Sequence, residues 1–192
     1  MNHRIVNLLN ADDLVKLKDL YDTLPANPMV QSHNLFHVDK RSCGADYHPV
    51  TSKVKDFIQS SHNTKLKAVN PYFVMYESEA FTQLHTDFNT TMTCVTLVSD
   101  NDLVGGETIV MEHYEPKDMP NAGIAGEDRI IPNMSTPRIV NLKPGDTLIY
   151  GPSLPHAVAK VISCNTSVLL QWFVSRNRGG FQSNTGKYPT SF

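Results

Sequence analysis

Cysteine is scarce in this chain and odd in number. Cys43, Cys94 and Cys164 sit at spacings that suit neither a disulfide framework nor a zinc site, so a reducing, cytoplasmic setting is expected. Long apolar runs are missing as well. None approaches the roughly 20 residues that a membrane-spanning helix needs, and the N-terminus, MNHRIVNLLNADDL, lacks the apolar stretch of a signal peptide. Charge of one sign is not in excess: 17 Lys and Arg stand against 19 Asp and Glu, a net charge of −2. That balance argues against a generally basic nucleic-acid-binding surface while leaving room for a local patch. Neither nucleic acid nor a membrane is expected as a partner. Repeats and low-complexity linkers are also lacking. The 192 residues suffice for one domain with a sizeable core and are short for two, so a single domain over 1–192 is expected.

The hydrophobic pattern divides the chain. Residues 11–24 read as an amphipathic helix, with Leu14, Leu17, Tyr21 and Leu24 at helical spacing and Leu20 beside them. Asp12 or Asp13 is the expected cap, and Pro25 stops the helix. Residues 25–50, rich in Pro, Asn, His and Gly, read as irregular. A second short helix is expected over 51–60, capped by Thr51 or Ser52, with Val54, Phe57 and Ile58 facing inward. From about residue 65 the period becomes two. KLKAVNPYFVMYE, FTQLHTDF, MTCVTLVS, GETIVME, RIVNLK, DTLIYG, HAVAKV and SVLLQWFVSR all read as strands. Turn signals separate them at Asn101-Asp102, Gly105-Gly106, Pro144-Gly145 and Gly151-Pro152. Helices gathered at one end of a run of short strands imply an α+β protein built on a β-sandwich or jelly roll. The expected division is a helical N-terminal part (1–64), a β core (65–178) and a mobile polar tail (179–192). The loop at 115–136 is long for a compact domain, as functional lids and disordered segments are.

Within the β region stands His85-Thr86-Asp87, with His156 much further on. On a strand, residues two apart share a face, so His85 and Asp87 converge while Thr86 points away. His156 follows the turn in PGDTLIYGPSLPH and can close a triangle from a neighbouring strand. Two imidazoles and a carboxylate on one face of an ion leave the other face open, the donor set of non-haem Fe(II) oxygenases. The tripeptide alone is weak evidence, because eight histidines make chance pairings easy. His33, His37 and His48 lie in the irregular segment and read as polar loop residues, and His113 as exposed.

Context narrows the reading. YFVMYESEAFTQLHTDF, VTLVSDNDLVGGETIV, VNLKPGDTLIYGPSLPHAVAKV and SVLLQWFV together resemble, in order and spacing, the catalytic core of the Fe(II)/2-oxoglutarate-dependent dioxygenases. The similarity is to their prolyl 4-hydroxylase-like branch, including the PKHD-type hydroxylases, over about residues 70–175. The resemblance implies a double-stranded β-helix (jelly roll) with N-terminal helices packed on one sheet. It implies His85, Asp87 and His156 as iron ligands and catalytic centre, with Fe(II) as metal, 2-oxoglutarate as co-substrate and ascorbate as a further candidate. It implies hydroxylation of a prolyl or other residue in a peptide, or of a small molecule, with succinate and carbon dioxide released. Tyr76, nine residues before His85, matches the family tyrosine that hydrogen-bonds 2-oxoglutarate, and equally suits an ordinary strand aromatic. Gly105-Gly106-Glu107-Thr108 reads as a strand–loop junction and Trp172 as core.

The chain departs from the family at one position. Ten residues after the distal histidine the family carries an Arg or Lys for the distal carboxylate of 2-oxoglutarate. Here that position is Thr166, between Asn165 and Ser167. A charge-assisted contact is roughly twice as strong as a neutral one, so three explanations stay open. A cation reaches in from elsewhere, with Arg176, Arg178 and Lys160 as candidates. Thr166 and neighbouring hydroxyls bind 2-oxoglutarate weakly, or bind another 2-oxo acid. Or the chain is a metal-binding, cupin-like module whose oxygenase activity is altered or lost. A β-sandwich interaction protein with an idle triad is a further alternative. Arg176-Asn177-Arg178 resembles the R-x-N motif of nucleic-acid demethylases, but its spacing does not fit and no basic stripe accompanies it.

Overall fold

The computed structural model describes residues 3–32, 34–43, 49–61, 66–68, 71–87, 90–112, 136–152 and 154–175. Asn10 opens the first helix, α1 (Ala11–Thr23). Its side chain accepts the Asp13 amide at 3.0 Å, and Asp13 reaches back to the Asn10 amide at 3.1 Å. This capping box satisfies two orphan donors at once. The cap is therefore Asn10 rather than Asp12 or Asp13. Leu17 and Tyr21 are buried, with Leu14, Leu20 and Leu24 packed around them. The second helix, α2 (Pro49–Ser61), begins earlier than expected, at a proline. Proline costs nothing at a first helical position, where its missing N–H has no partner to lose. Thr51 and Ser52 thus lie inside the first turn, and Val54 and Ile58 are fully buried against Met92, Cys94 and Ile149.

The strands are β1 (His3–Asn7), β2 (Pro28–Ser32), β3 (Leu35–Ser42), β4 (Leu66–Ala68), β5 (Tyr72–His85), β6 (Met92–Gly105), β7 (Thr108–Glu112), β8 (Thr136–Val140), β9 (Asp146–Tyr150), β10 (His156–Val158) and β11 (Val161–Ser175). They form one antiparallel sheet in the order β1-β9-β6-β11-β5-β10-β7-β8, with β3 paired to β5, β2 to β3 and β4 to β11. Three strands lie in the N-terminal part expected to be helical. β2 and β3 occupy the stretch read as irregular, because charged Asp39, Lys40 and Arg41 interrupt the apolar alternation of β3. Two expected boundaries vanish as well. β5 runs unbroken through a left-handed residue, Glu79 (φ 75°), and β6 continues past the Asn101-Asp102 turn signal with Asp102 at φ 49°.

β5 is the hinge of the architecture. Its first half pairs with β11 and its second half with β10, so the sheet curls into two facing halves. Val110 and Val140 from one half pack against Leu148 and Tyr150 from the other. Val38, Tyr72, Val74, Tyr76, Leu97 and Val168 continue that inner core. Phe73 and Leu169 face the opposite way, under α1. The result is an α+β jelly roll with both helices on the outside of the larger half. Gly105 (φ 80°) turns the chain into β7, and a Cβ there would lie 2.2 Å from the Lys160 carbonyl. No helix among the described residues is long and apolar enough to cross a membrane.

Candidate metal centre

His85 ends β5 and His156 begins β10, and the two are register partners in adjacent strands. Their rings lie 4.2 Å apart between centroids. The register slips just beyond: His156 faces His85 while Val158 faces Thr82, which puts an extra residue on β5. Such a bulge bends the strand and re-aims its last side chains. Asp87 follows two residues after His85. His85 Nε2 is 3.6 Å and His156 Nε2 is 3.9 Å from Asp87 Oδ1. One donor atom from each residue lies within 4.8 Å of the others. Ligands at about 2.0–2.2 Å from one ion at right angles stand roughly 3 Å apart, so small side-chain rotations close the set.

The surroundings prepare these atoms for a cation. His85 Nδ1 is 2.8 Å from the Gln83 carbonyl, and His156 Nδ1 is 3.0 Å from the Leu154 carbonyl. A ring N–H donated to a carbonyl leaves the Nε2 lone pair as the metal-binding one. Thr93 donates its hydroxyl to Asp87 Oδ2, which leaves Oδ1 turned toward the imidazoles. The Tyr150 hydroxyl lies 3.0 Å from His156 Nε2 and caps that lone pair. Burial pushes His156 down to about 4, helped by its neighbour His85, so the ring is neutral at pH 7. Burial pushes the Asp87 carboxyl up, but His156, His85 and Thr93 outweigh it and hold the group at about 2. A neutral imidazole beside an ionised carboxylate is the protonation state a divalent cation needs. Two borderline nitrogen donors and one hard oxygen donor, three in all, suit Fe(II).

The other positions singled out from sequence fare differently. Tyr76 is 3% exposed, on the inner face, with its hydroxyl 2.8 Å from Thr82 Oγ1. Thr166 is its register partner on β11, but the Thr166 hydroxyl donates to the Ser99 carbonyl at 2.7 Å. Lys160 does not enter the barrel, because its ammonium pairs with Glu79 on the exposed surface. Gly106 and Glu107 form the expected junction, with their backbones bonded to Lys160 and Ala159. Arg176, Arg178, the tail, His113 and loop 115–135 lie outside the described residues, as does the Trp172 side chain. Sequence reasoning missed Thr93 and Tyr150. Both look like ordinary strand residues, and only the pairing of β6 with β9, which sets Thr93 opposite Tyr150, brings them to the site.

No family model and no curated protein matches the sequence. Solved structures do match the fold. An oxidoreductase of the 2OG-Fe(II) oxygenase family from Burkholderia pseudomallei shares it with a TM-score of 0.69 at 13% identity, over 94% of this chain and 89% of that one. The collagen prolyl hydroxylase of Paramecium Bursaria Chlorella virus-1, in its 2OG complex, gives 0.63 at 14% identity, over 91% and 97%. HygX from Streptomyces hygroscopicus, with nickel, 2-oxoglutarate and hygromycin B bound, gives 0.62 at 8%, over 92% and 84%. At these identities the likeness establishes that the chain has the jelly-roll fold of the 2OG-Fe(II) oxygenases.

Proposed function

We propose that this protein is an Fe(II)- and 2-oxoglutarate-dependent oxygenase. Its substrate is a prolyl or other residue of a peptide, or a free amino acid, which it hydroxylates with release of succinate and carbon dioxide. One observation carries this reading: two imidazole Nε2 atoms and one carboxylate oxygen converge at one end of a jelly roll of the oxygenase type. His85, Asp87 and His156 would hold the metal. The Nδ1 contacts to Gln83 and Leu154 and the Thr93 bond to Asp87 fix ring and carboxylate orientation. Fe(II) with 2-oxoglutarate and dioxygen supplies an oxidative decarboxylation coupled to oxidation of a C–H bond. Buried Tyr76 offers a phenol to the co-substrate from the inner face. The apolar walls formed by Val74, Leu97 and Val168 keep water from the reacting groups.

A cupin-like metal-binding module without oxygenase activity is the second reading. It is favoured by the Thr166 hydroxyl being tied to Ser99 where the family carries a base. The test is succinate formation from 2-oxoglutarate by the Fe(II)-loaded protein in air. Turnover is expected in the parent protein and is lost, together with iron binding, in His85→Ala, Asp87→Ala and His156→Ala. Iron binding without any 2-oxoglutarate consumption leaves the second reading standing. Turnover that survives all three substitutions refutes the assignment of the ligands.

A further inference from the structure

β3 divides its charged residues between the two faces of the sheet. Asp39 and Arg41 face α1, where they bond to each other and to Tyr21. Lys40 lies between them and so points the other way. Val38, which shares its face, belongs to the inner core with Tyr72, Val74 and Tyr76. Lys40 is in register with Val74, one strand over from the wall that carries Tyr76. Its Nζ sits 4.2 Å from the centroid of the Tyr72 ring. Tyr72 belongs to that same inner cluster, and its phenol is pushed up by burial first and then by the charge of Asp87, so the ring beneath the ammonium lies on the face of the sheet that looks toward the metal ligands. Among the described residues no carboxylate pairs with Lys40. Burial lowers its pKa, and no acid offsets that cost.

Charge balance says what belongs there. Asp87 carries one negative charge, a divalent metal two positive, and a doubly ionised 2-oxo dicarboxylate two negative, which leaves one negative charge uncompensated. A buried site tolerates such a charge poorly. One inward ammonium cancels it. We propose that Lys40 is the cation that receives the second carboxylate of a 2-oxo dicarboxylate co-substrate, in place of a base at Thr166. The assignment rests on the oxygenase reading above. It converts the missing family cation into a cation supplied from a different strand.

Calorimetric titration of the full chain loaded with Ni(II), which binds without turnover, tests it with two ligands. 2-Oxoglutarate carries both carboxylates. 2-Oxobutanoate keeps the chelating 2-oxo acid end and lacks the second. The parent protein is expected to prefer 2-oxoglutarate. In Lys40→Met, which keeps an apolar stem over Tyr72, affinity for 2-oxoglutarate falls roughly ten- to a hundredfold, as loss of a charged hydrogen bond implies. Affinity for 2-oxobutanoate stays the same, and Lys40→Arg recovers most of the 2-oxoglutarate affinity. Equal loss for both ligands, or no loss for either, overturns the assignment of Lys40 alone. A metal-loaded parent protein that binds neither 2-oxo acid overturns the oxygenase reading and this assignment with it.

Discussion

The two faces of the larger half-sheet use the same residue types to opposite ends. On the outer face the charges at the junction with α1 have partners. Lys53 sits 2.6 Å from Asp13, and the Arg41 guanidinium is 2.8 Å from Asp39 and bonds the Tyr21 and Leu24 carbonyls at the end of α1. Tyr21 gives its hydroxyl to Asp39. On the inner face, among the described residues, the carboxylate of Asp87 has imidazoles and a threonine hydroxyl, Tyr150 turns to a histidine lone pair, and Lys40 has an aromatic ring. Completed ion pairs fasten α1 to α2 and to the sheet. Incomplete ones, held in place by backbone carbonyls and packing, keep charge available for something that is not protein.

That contrast predicts a double dissociation. The largest effect is expected for Asp87→Asn, which removes a ligand charge while keeping the side-chain shape. Metal affinity should fall by more than about a hundredfold, beyond the 10- to 100-fold cost typical of losing an outer-shell partner, and the variant should still unfold cooperatively. Metal titration and a thermal melt on the same sample decide it. If Asp87→Asn binds metal normally, the inner face is not a metal site. Asp39→Asn should do the reverse. It weakens contacts to Arg41, Tyr21 and the Asn27 amide, and hydrogen bonds to charged groups are worth about 1.5–3 kcal/mol. Chemical denaturation should show a stability loss of that order, with metal affinity unchanged.

The smallest effect is on acid stability. The Lys53 ammonium lowers the pKa of Asp13 below the ordinary 3.8, against the upward push of burial. For Asp39 burial again pushes upward, but Arg41, the Asn27 amide and Tyr21 outweigh it and leave the group below 3.8. A carboxyl with a lowered folded pKa binds fewer protons folded than unfolded, so its stabilising contribution is present above the unfolded value and disappears as pH falls through the folded one. Stability should therefore decline below about pH 4, and Asp39→Asn should flatten that decline. An unaltered acid limb in the variant would show that the outer pairs do not hold the fold.

Much of this was readable beforehand where neighbours in the chain decide the outcome. The 11–23 helix followed from Leu14, Leu17 and Tyr21 at helical spacing, and its stop from Pro25. The period-two run from Tyr72 announced a β core that ends in His85, whereas Asp87, expected on the same strand, lies just beyond its end and meets His85 from there. The readings that failed lacked a local signal. β3 was hidden because the charged run Asp39, Lys40 and Arg41 follows Val38 and interrupts the apolar alternation a half-buried strand usually shows. β1 pairs along its whole length with β9, far away in sequence, and its Ile5 is 45% exposed, so it carries little amphipathic pattern of its own. Lys160 looked like a candidate cation by spacing from His156, and the left-handed Glu79 beside it in space claims its charge instead.

Donor chemistry, the period of the core strands and turn glycines belong to residues and their immediate neighbours, and those the amino-acid sequence determined unaided. Convergence does not belong to neighbours. Only the pairing of β10 with β5, one residue out of register, set His156 opposite His85. Only the pairing of β3 with β5 turned Lys40 inward while Asp39 and Arg41 turned out. Strand register is fixed by which buried faces fit together across the whole sheet, and a shift of one residue sends every side chain to the other side.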